Sequence, residues 1–441
     1  MGVAALVADV PSAAVAQAPA TPPPLEVLHG FTLIDGLGGA PVPEAALAFR
    51  GTTIVDAGAL RDVLSRVPDG EVAVRLDLGG GYVVPGLIDA HVHLATAPNR
   101  ELAVAELRRL FRAGITAVRD MAGDARLLGA LALEARTGRI ESPDIHYAAL
   151  VAGPSFFEDP RTRASAQGVS PGEAPWMQSI TPETDLALAV ARARGTSASG
   201  LKIYADLDAV TVRRVTEEAH RQGLPVWAHA MVYPARPLEI VRSGVDVVSH
   251  VCPAAWEAMA EAPERYHHPR RPGYELVSAE APVFYVLLRE MADRRTILDP
   301  TLAMHALVEG GPPEGGGPAP AGTPAVCSRE FARALVRRAH ELGVPIAAGT
   351  DFTTAPGQPP ALFLELEALV EHGGLSPLAA IGAATRVAAA AIGLQDRIGT
   401  LQAGTEVTFL LLSRDPTADI DNLGTVKEVW KNAARYRLDP P

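Results

Sequence analysis

The sequence predicts an α/β protein, a (β/α)8 TIM barrel with a small composite β-sandwich domain formed by both chain ends. In the middle of the chain, helical patterns end at a glycine, and short apolar strands that finish in a polar residue follow them. Repeated units of this kind are typical of a parallel sheet, and eight of them are typical of a closed barrel. A length of 441 residues with 48% hydrophobic residues suits a large barrel with a smaller companion domain.

The barrel is predicted over residues 84–395. Glycines such as Gly114 and Gly223 suit the left-handed position that ends a helix, and an apolar strand follows each of them. The predicted strands are 86–94, 115–120, 144–150, 200–205, 224–230, 245–250, 296–302 and 344–351, and helical patterns between them include 124–138, 206–222 and 329–342.

Three irregular stretches interrupt the barrel pattern. Residues 152–182 and 253–280 are rich in Pro, Arg and aromatic residues. Both follow strand ends, so they could cover a site. Residues 309–324 are nearly all Gly, Pro, Ala and Glu, which predicts a mobile loop.

The β-sandwich domain is predicted from the two chain ends. Residues 25–83 contain short strand-like runs separated by glycine-rich turns, and residues 396–441 return to this pattern. Residues 1–24 are small, apolar and Pro-rich, so we expect a disordered tail or the remnant of an export signal. The A-x-A pattern at 16–18 favours an exported ancestry, but the segment lacks a basic start, and a cytoplasmic protein stays open.

Composition and charge exclude several classes of function. The net charge is −12 and no basic cluster stands out, so nucleic-acid binding is not expected. No apolar run reaches the length of a membrane span. The two cysteines, Cys252 and Cys327, have no CxxC spacing and do not make a disulfide framework, so we expect buried free thiols.

Two histidines end the first barrel strand. Side chains alternate along a strand, so His91 and His93 face the same way. At the C-terminal end of a barrel strand this direction can be the mouth, where barrel enzymes keep their chemistry. Two neutral imidazoles on one face make half of a site for a divalent metal, although a hydrogen-bonded pair in the core is the alternative.

Three other strand ends carry residues that can bind a metal. His229, His250 and Asp351 each lie at or near the end of a predicted strand. Each alone could be structural, as a core histidine or as the cap of a following helix. Four strands that end in metal-ligand residue types together indicate a metal site at the mouth of the barrel.

Lys202 lies within the apolar strand GLKIYA, in a chain that strongly favours arginine over lysine. A buried ammonium group is costly, so a function specific to a primary amine is indicated. A neutral amine can react with CO₂ to form a carbamate, whose two oxygens can bridge two metals. The alternatives are a lysine that reaches out to solvent and one that pairs with Asp206.

Three further polar residues lie in neighbouring strands. Arg119 and Asp120 end the second strand, where we expect them to pair structurally beside the site. His146 in the third strand is a further candidate to face the site. His267 and His268 lie in a Pro- and Arg-rich loop and are expected at the surface.

These segments resemble the amidohydrolase superfamily. The similarity rests on VVPGLIDAHVHL, GLKIYA, the strand-end His229 and His250, and GTD at 349–351. It is greatest to the binuclear members of the imidazolonepropionase-related, prolidase-like group, which includes Xaa-Pro dipeptidases and ochratoxin-type amidohydrolases. The resemblance covers almost the whole chain after Leu25 and departs at 404–410, where relatives usually carry an Ala-Asp pair.

The resemblance implies a site with two divalent cations, zinc being the expected metal. A hydroxide that bridges the two cations would attack an amide carbonyl. The implied ligands are His91, His93 and Asp351 for the more buried ion, His229 and His250 for the second, and a carbamate on Lys202 that bridges both.

Two residues have implied roles in the chemistry. Asp351 would take a proton from the nucleophile and deliver it to the leaving nitrogen. Tyr233 could stabilise the oxyanion, as a tyrosine does in some relatives, or could instead pack on Pro234 as a loop aromatic.

The predicted function is hydrolysis of the amide bond of a small N-acyl amino acid or dipeptide, and aryl amides of phenylalanine such as ochratoxin are further candidate substrates. Loops at 160–165 and 266–274 carry arginines that could hold a substrate carboxylate or could simply be solvated. A lactonase or phosphotriesterase with the same metals is the alternative, and an inert structural homologue is disfavoured because the ligand set is intact. The resemblance also implies a homo-oligomer.

Overall fold

The computed structural model describes residues 22–67, 70–267, 273–307 and 327–438. The predicted N-terminal tail up to residue 21 and the predicted mobile loop at 309–324 lie outside these residues. The strands are β1 (Leu25–Leu33), β2 (Val42–Arg50), β3 (Thr53–Ala59), β4 (Val72–Asp77), β5 (Tyr82–Pro85), β6 (Leu87–Val92), β7 (Ile115–Asp120), β8 (Asp144–Ala152), β9 (Glu173–Ala174), β10 (Met177–Ser179), β11 (Gly200–Ile203), β12 (Val226–His229), β13 (Val247–Ser249), β14 (Ile297–Asp299), β15 (Phe409–Leu412), β16 (Val426–Lys431) and β17 (Ala434–Arg437). The α-helices are α1 (Leu60–Arg66), α2 (Arg100–Arg112), α3 (Ala125–Arg136), α4 (Pro160–Ser165), α5 (Leu186–Gly195), α6 (Ala209–Arg221), α7 (Pro237–Arg242), α8 (Pro282–Arg294), α9 (Leu302–Leu307), α10 (Arg329–Glu341), α11 (Ala361–Glu371), α12 (Pro377–Ala383) and α13 (Arg386–Ala391).

The barrel helices form where an apolar stripe with helical spacing follows a capping side chain. In α6, Val212, Val215 and Ala219 are buried and recur at intervals of three and four residues. The Asp208 carboxylate accepts a hydrogen bond from a backbone amide of the first turn at 2.7 Å. Beyond the helix, Gly223 has a φ of 77°, which is the left-handed position that the sequence predicted.

The middle of the chain forms the predicted parallel barrel. Strands β6, β7, β8, β11, β12, β13 and β14 pair in this order, all parallel. The eighth predicted strand, 344–351, is an extended segment rather than a regular strand. Its Ala347 amide donates to the carbonyl of Leu298 in β14, and its Ala348 carbonyl accepts from the amide of Ala90 in β6, both at 2.9 Å. These bonds close the barrel between its last and first strands.

The stretch 152–182 is more regular than its composition suggests. It contains a 3-10 helix at Pro154–Glu158, helix α4, and the short β9–β10 hairpin. Strand β10 pairs parallel to β8 beyond the point where β8 ends its pairing with β7. The loop is therefore fixed against the C-terminal end of the barrel.

Both chain ends contribute to a second sheet. Its order is β17-β16-β15-β5-β1-β2-β3, and β4 pairs with β1. The two ends meet where β5 pairs antiparallel with β15, with Val84 opposite Leu410. The predicted fold class, a barrel with a small β domain formed by both chain ends, is confirmed. The domain boundaries 25–83, 84–395 and 396–441 stay a prediction.

No helix within the described ranges combines the length and the apolar character that a bilayer crossing requires.

The two cysteines form a disulfide bond, so the prediction of free thiols is wrong. Cys252 begins a 3-10 helix after β13, Cys327 lies just before α10, and their Cα atoms are 5.4 Å apart. The residues are 75 positions apart in the chain, so only the packing of α8 and α10 beside the barrel brings them together. Closing a loop of this length stabilises the folded state by about 4 kcal/mol in the chain-entropy treatment.

We expect the double substitution Cys252→Ser, Cys327→Ser to lower the free energy of unfolding by about 2–5 kcal/mol, because the unfolded chain regains the entropy of the open loop. Urea unfolding of both proteins without reductant measures this difference. The wild-type protein denatured without reductant should show no thiol that reacts with an alkylating reagent. Two reactive thiols per chain in that experiment would contradict the bond.

Candidate metal centre

Five strand ends of the barrel converge on one group of side chains. The residues involved come from distant parts of the sequence, and the parallel order of the strands places their C-terminal ends together. The predicted site residues are His91 in β6, His93 just beyond it, Lys202 in β11, His229 at the end of β12, His250 after β13 and Asp351 at the end of the closing segment 344–351.

Asp351 lies against both histidines of the first strand. The Nε2 atoms of His91 and His93 are 3.3 Å and 2.9 Å from its Oδ1 atom. Two ligand atoms on one tetrahedral zinc ion lie about 3.3 Å apart, because each bond is about 2.0–2.1 Å long. His91, His250 and Asp351 also offer ligand atoms that all lie within 4.8 Å of one another. The spacing of these atoms therefore fits a divalent cation.

The charge state of Asp351 also suits a ligand. Burial opposes its ionisation, but His91, His93 and His250 outweigh this effect and hold the pKa of Asp351 well below its ordinary value. The carboxylate is therefore ionised at neutral pH, as ligation requires.

Asp299, at the end of β14, orients His91. Its Oδ2 atom lies 2.7 Å from Nδ1 of His91, so the Nε2 atom is the one turned toward Asp351. Carboxylates that hold the far nitrogen of a histidine in this way are typical of metal sites. Burial opposes ionisation of Asp299, but His91 and Arg119 lower its pKa below the ordinary value. The sequence reasoning missed this residue, although it is the polar residue that ends the seventh strand.

Lys202 is buried and has a lowered pKa. Its side chain is 1% exposed, and Nζ donates to the hydroxyl of Ser249 at 3.3 Å. Burial, reinforced by the nearby Arg119, lowers the pKa of Lys202 to about 7. A substantial fraction of the amine is therefore neutral at neutral pH, which is the form that can react with CO₂.

The alternatives for Lys202 do not match its surroundings. The buried side chain does not reach solvent. Asp206, the possible ionic partner, instead accepts hydrogen bonds from the Ser155 hydroxyl at 2.7 Å and from the Tyr266 amide at 2.6 Å. This carboxylate joins two loops above the barrel, so it serves a structural role.

His229 and His250 lie side by side. Their rings are stacked with centroids 4.8 Å apart, and Nδ1 of His250 lies 3.0 Å from the Thr301 hydroxyl. Burial lowers the pKa of both imidazoles well below the ordinary value, so both are neutral, as metal ligands are. Within the described residues, the buried Nδ1 atom of His229 has no hydrogen-bond partner. Such an orphaned nitrogen is costly unless something else binds it.

Asp89 and Gly349 allow the closing segment 344–351 to pack closely against β6. The Asp89 carboxylate accepts from the backbone amide of His91 at 3.1 Å and from the Thr350 hydroxyl at 2.9 Å. Burial raises the pKa of Asp89 to about 7. A side chain at Gly349 would collide with the carboxylate of Asp299 and with His91. The close approach of the closing segment to β6 therefore requires glycine at this position.

Tyr233 lies four residues beyond His229. It is 6% exposed, has a φ of 54°, and its ring centroid is 6.0 Å from that of Tyr266. The predicted role of its phenol at an oxyanion stays a prediction.

Two expectations about neighbouring residues are wrong. Arg119 and Asp120 do not pair with each other: the Arg119 guanidinium donates to Asp299 at 3.2 Å, whereas Asp120 accepts from the Leu94 amide at 2.6 Å. His146 does not face the site. It lines a separate cavity of about 460 Å³, where burial lowers its pKa to about 4.

His146 does not reach the site because it lies too deep in the barrel. Lys202 pairs with Leu150 of β8, so His146 lies four residues, or about 13 Å, before the level of the site. His267 is exposed, as expected, whereas His268 and the arginines that follow it lie outside the described residues.

Comparisons of sequence place the chain among known proteins. Residues 321–434 match the amidohydrolase family model. A 99-residue stretch is 42% identical to ochratoxinase from Aspergillus niger, and it covers 22% of this chain and 20% of that protein. The chain thus matches about a fifth of the length of that relative. A longer match, 28% identical over 411 residues, covers 89% of this chain and 92% of imidazolonepropionase from Ralstonia nicotianae.

Solved structures show the same fold. A Xaa-Pro dipeptidase with bound methionine superposes with a TM-score of 0.70 at 20% identity, covering 94% of this chain and 100% of that one. The A. niger ochratoxinase structure also has a TM-score of 0.70, at 21% identity, covering 94% and 96% of the two chains. Residues 321–434 therefore carry an amidohydrolase family domain, and the chain is similar in sequence to imidazolonepropionase and ochratoxinase and in fold to ochratoxinase and Xaa-Pro dipeptidase.

Proposed function

We propose that the chain is a metal-dependent hydrolase that cleaves the amide bond of a small N-acyl amino acid or dipeptide. The observation that carries this proposal is the meeting of Asp351 with the Nε2 atoms of His91 and His93 at 3.3 Å and 2.9 Å. Two divalent cations, zinc being the expected metal, would be held by His91, His93, His229, His250, Asp351 and a carbamate on Lys202.

The protonation states of these residues support the proposal. His229 and His250 are neutral, Asp351 is ionised, and Lys202 has a pKa of about 7. These are the forms that metal ligation and carbamate formation need. The orphaned Nδ1 atom of His229 would gain a partner in the cation.

The residues divide the chemistry between them. Divalent cations supply Lewis acidity and make hydroxide available near neutral pH. In this proposal the ionised Asp351 carboxylate would accept a proton from the nucleophile and return it to the leaving nitrogen. Asp299 and Thr301 hold the far nitrogens of His91 and His250, so both rings keep their orientation as protons move.

The substrate class is supported by the named relatives. Both the ochratoxinase and the Xaa-Pro dipeptidase share the fold across more than nine-tenths of this chain. Dipeptides and aryl amides of phenylalanine such as ochratoxin are therefore the first substrates to examine. The homo-oligomer implied by the family resemblance stays a prediction.

Removal of metal should abolish turnover. We expect zinc-loaded protein to cleave at least one N-acyl amino acid or dipeptide, and chelated protein to lose at least about 100-fold in kcat/KM, because the cations supply the nucleophile. A chromatographic screen that also includes lactones and phosphotriesters measures this. Turnover of the lactones or phosphotriesters alone would replace the amidase proposal, and protein without bound metal or turnover would favour an inert homologue.

The substitution Lys202→Ala should abolish turnover, because it removes the amine that forms the carbamate. We expect short-chain carboxylic acids to restore part of the activity by placing two oxygens in the vacated position. Lys427→Ala is the matched control, since Lys427 is an exposed lysine on a β-strand. Wild-type activity in Lys202→Ala without any added acid would remove this lysine from the site.

The substitution Asp299→Asn should weaken zinc binding by about 10–100-fold, because His91 loses the carboxylate that orients its ring. Competition with a chromogenic chelator measures the affinity without any assay of activity. Asp293→Asn is the control, since the Asp293 side chain is 66% exposed and pairs with Arg289 on helix α8. Equal affinities of Asp299→Asn and wild type would show that the interaction does not support the metal.

A further inference from the structure

A buried aromatic cluster lies above the candidate centre. Tyr204 follows Lys202 by two residues, and its ring centroid is 3.9 Å from that of His229. Phe156 stacks on Tyr204 at 4.4 Å, and Tyr266 lies 5.5 Å from Tyr204. The loop after β8 and the loop after β13 therefore meet over the ends of β11 and β12.

Arg161, the second residue of α4, brings a positive charge to this cluster. Its guanidinium carbon lies 5.8 Å from the centroid of Tyr204, and that ring is 3.9 Å from His229. The two distances place the guanidinium within about 10 Å of the His229 ring. About a third of the Arg161 side chain is open to solvent, at 30% exposure.

The guanidinium is held in place on one side only. Its Nε and Nη2 atoms donate to Asp159 at 3.1 Å and 2.7 Å, and Nη2 also lies 3.2 Å from the Tyr266 hydroxyl. Asp159 itself caps α4 by accepting from the Arg161 amide at 2.8 Å. No described residue accepts a hydrogen bond from Nη1 of Arg161. One edge of the guanidinium is thus oriented by the protein while two N–H groups remain available.

The loop that carries Arg161 is fixed before any ligand binds. The Asp206 carboxylate accepts from Ser155 in this loop and from the Tyr266 amide in the other. A side chain at Gly153 would collide with the backbone of Asp206, so glycine lets the loop leave β8 in close contact with β11. Little conformational entropy would be lost when Arg161 binds an anion, which favours affinity.

We infer that Arg161 binds the free carboxylate of the substrate, which makes the substrates N-acyl amino acids or dipeptides that carry a carboxylate next to the scissile amide. This inference rests on the proposed function. Bond lengths of 1.33, 1.46 and 1.52 Å place the carboxylate carbon at most about 4 Å from the amide carbon. A charge-assisted N–H···O contact of about 2.8 Å adds about 4 Å between the carboxylate and guanidinium carbons. A carbonyl beside His229 is therefore within reach of Arg161.

Arg163 offers a matched comparison on the same helix. It is exposed, whereas Arg161 is half-buried. Both have the same charge and lie two residues apart, so long-range electrostatic effects on a charged substrate are similar for the two. Only Arg161 is oriented by a carboxylate and an aromatic face.

Steady-state kinetics on two substrates test the inference. N-acetyl-L-phenylalanine carries the carboxylate, and N-acetyl-L-phenylalaninamide lacks its charge; release of acetate from both is followed by chromatography with zinc-loaded protein. We expect Arg161→Met to lower kcat/KM for the acid at least about 30-fold, mainly through KM, since an oriented charge pair is lost. For the amide we expect a change below about threefold, and Arg163→Met should leave both values within that range.

The other outcomes have defined meanings. An equal loss on the acid and the amide would show that Arg161 only supports the loop, and no loss on the acid would show that it does not bind the carboxylate; either overturns the inference. If the wild-type protein cleaves neither compound, the proposed function fails for this pair, and calorimetric binding of N-acetyl-L-phenylalanine still decides. Weaker binding to Arg161→Met than to wild type supports the inference, and equal binding overturns it.

Discussion

The buried carboxylate of Asp299 is the interaction on which the centre depends. It is inaccessible to solvent and accepts from His91 at 2.7 Å, Ser249 at 3.1 Å and Arg119 at 3.2 Å. Arg119 is also fully buried, so removing the carboxylate would leave a guanidinium without its charge partner, which is strongly destabilising. Through Ser249 the same carboxylate is linked to the amine of Lys202. One side chain thus ties the second, fourth and sixth barrel strands to the first.

This arrangement prepares the site electrostatically. Burial alone would keep every ionisable group neutral, yet Asp299 and Asp351 are ionised because histidines and Arg119 surround them. For His229, burial and the nearby Lys202 both lower the pKa, so this imidazole is neutral. These residues therefore already have the protonation states that metal binding requires, and few protons would be released on binding of a cation. A raised pKa at His91 is the exception, because Asp299 and Asp351 overcome the effect of burial there, so cations and protons compete at its Nε2 atom.

The sequence predicted the barrel well because helical patterns that end at a glycine, each followed by a short apolar strand, are typical of parallel βα units. It placed His229, His250 and Asp351 at strand ends because polar residues there stand out against apolar runs. It missed Asp299 because the predicted strand continued to residue 302, which placed this aspartate in the middle of the strand, whereas the observed strand ends at Asp299. His146 shows the complementary limit: alternation gives the face of a side chain but not its depth along a nine-residue strand. The disulfide could not be predicted, since only tertiary packing determines which distant cysteines meet.

The proposed metal ligands and the proposed carboxylate-binding residue lie in different parts of this chain. The proposed ligands lie on barrel strands or directly after them, where hydrogen bonds between neighbouring strands fix each position. Arg161, Tyr204 and Tyr266 instead lie in loops or just beyond a strand end, and Asp206 joins two of these loops. Loops tolerate change more readily than the strands beneath them, so substrate preference can diverge while the strand ends stay the same. Similarity to proteins named ochratoxinase and imidazolonepropionase is then informative about the barrel, whereas the roles of the loop residues above it depend on their own contacts. In this chain those contacts orient the Arg161 guanidinium close to the His229 ring, and its chemistry, rather than the name of any relative, points to a substrate carboxylate.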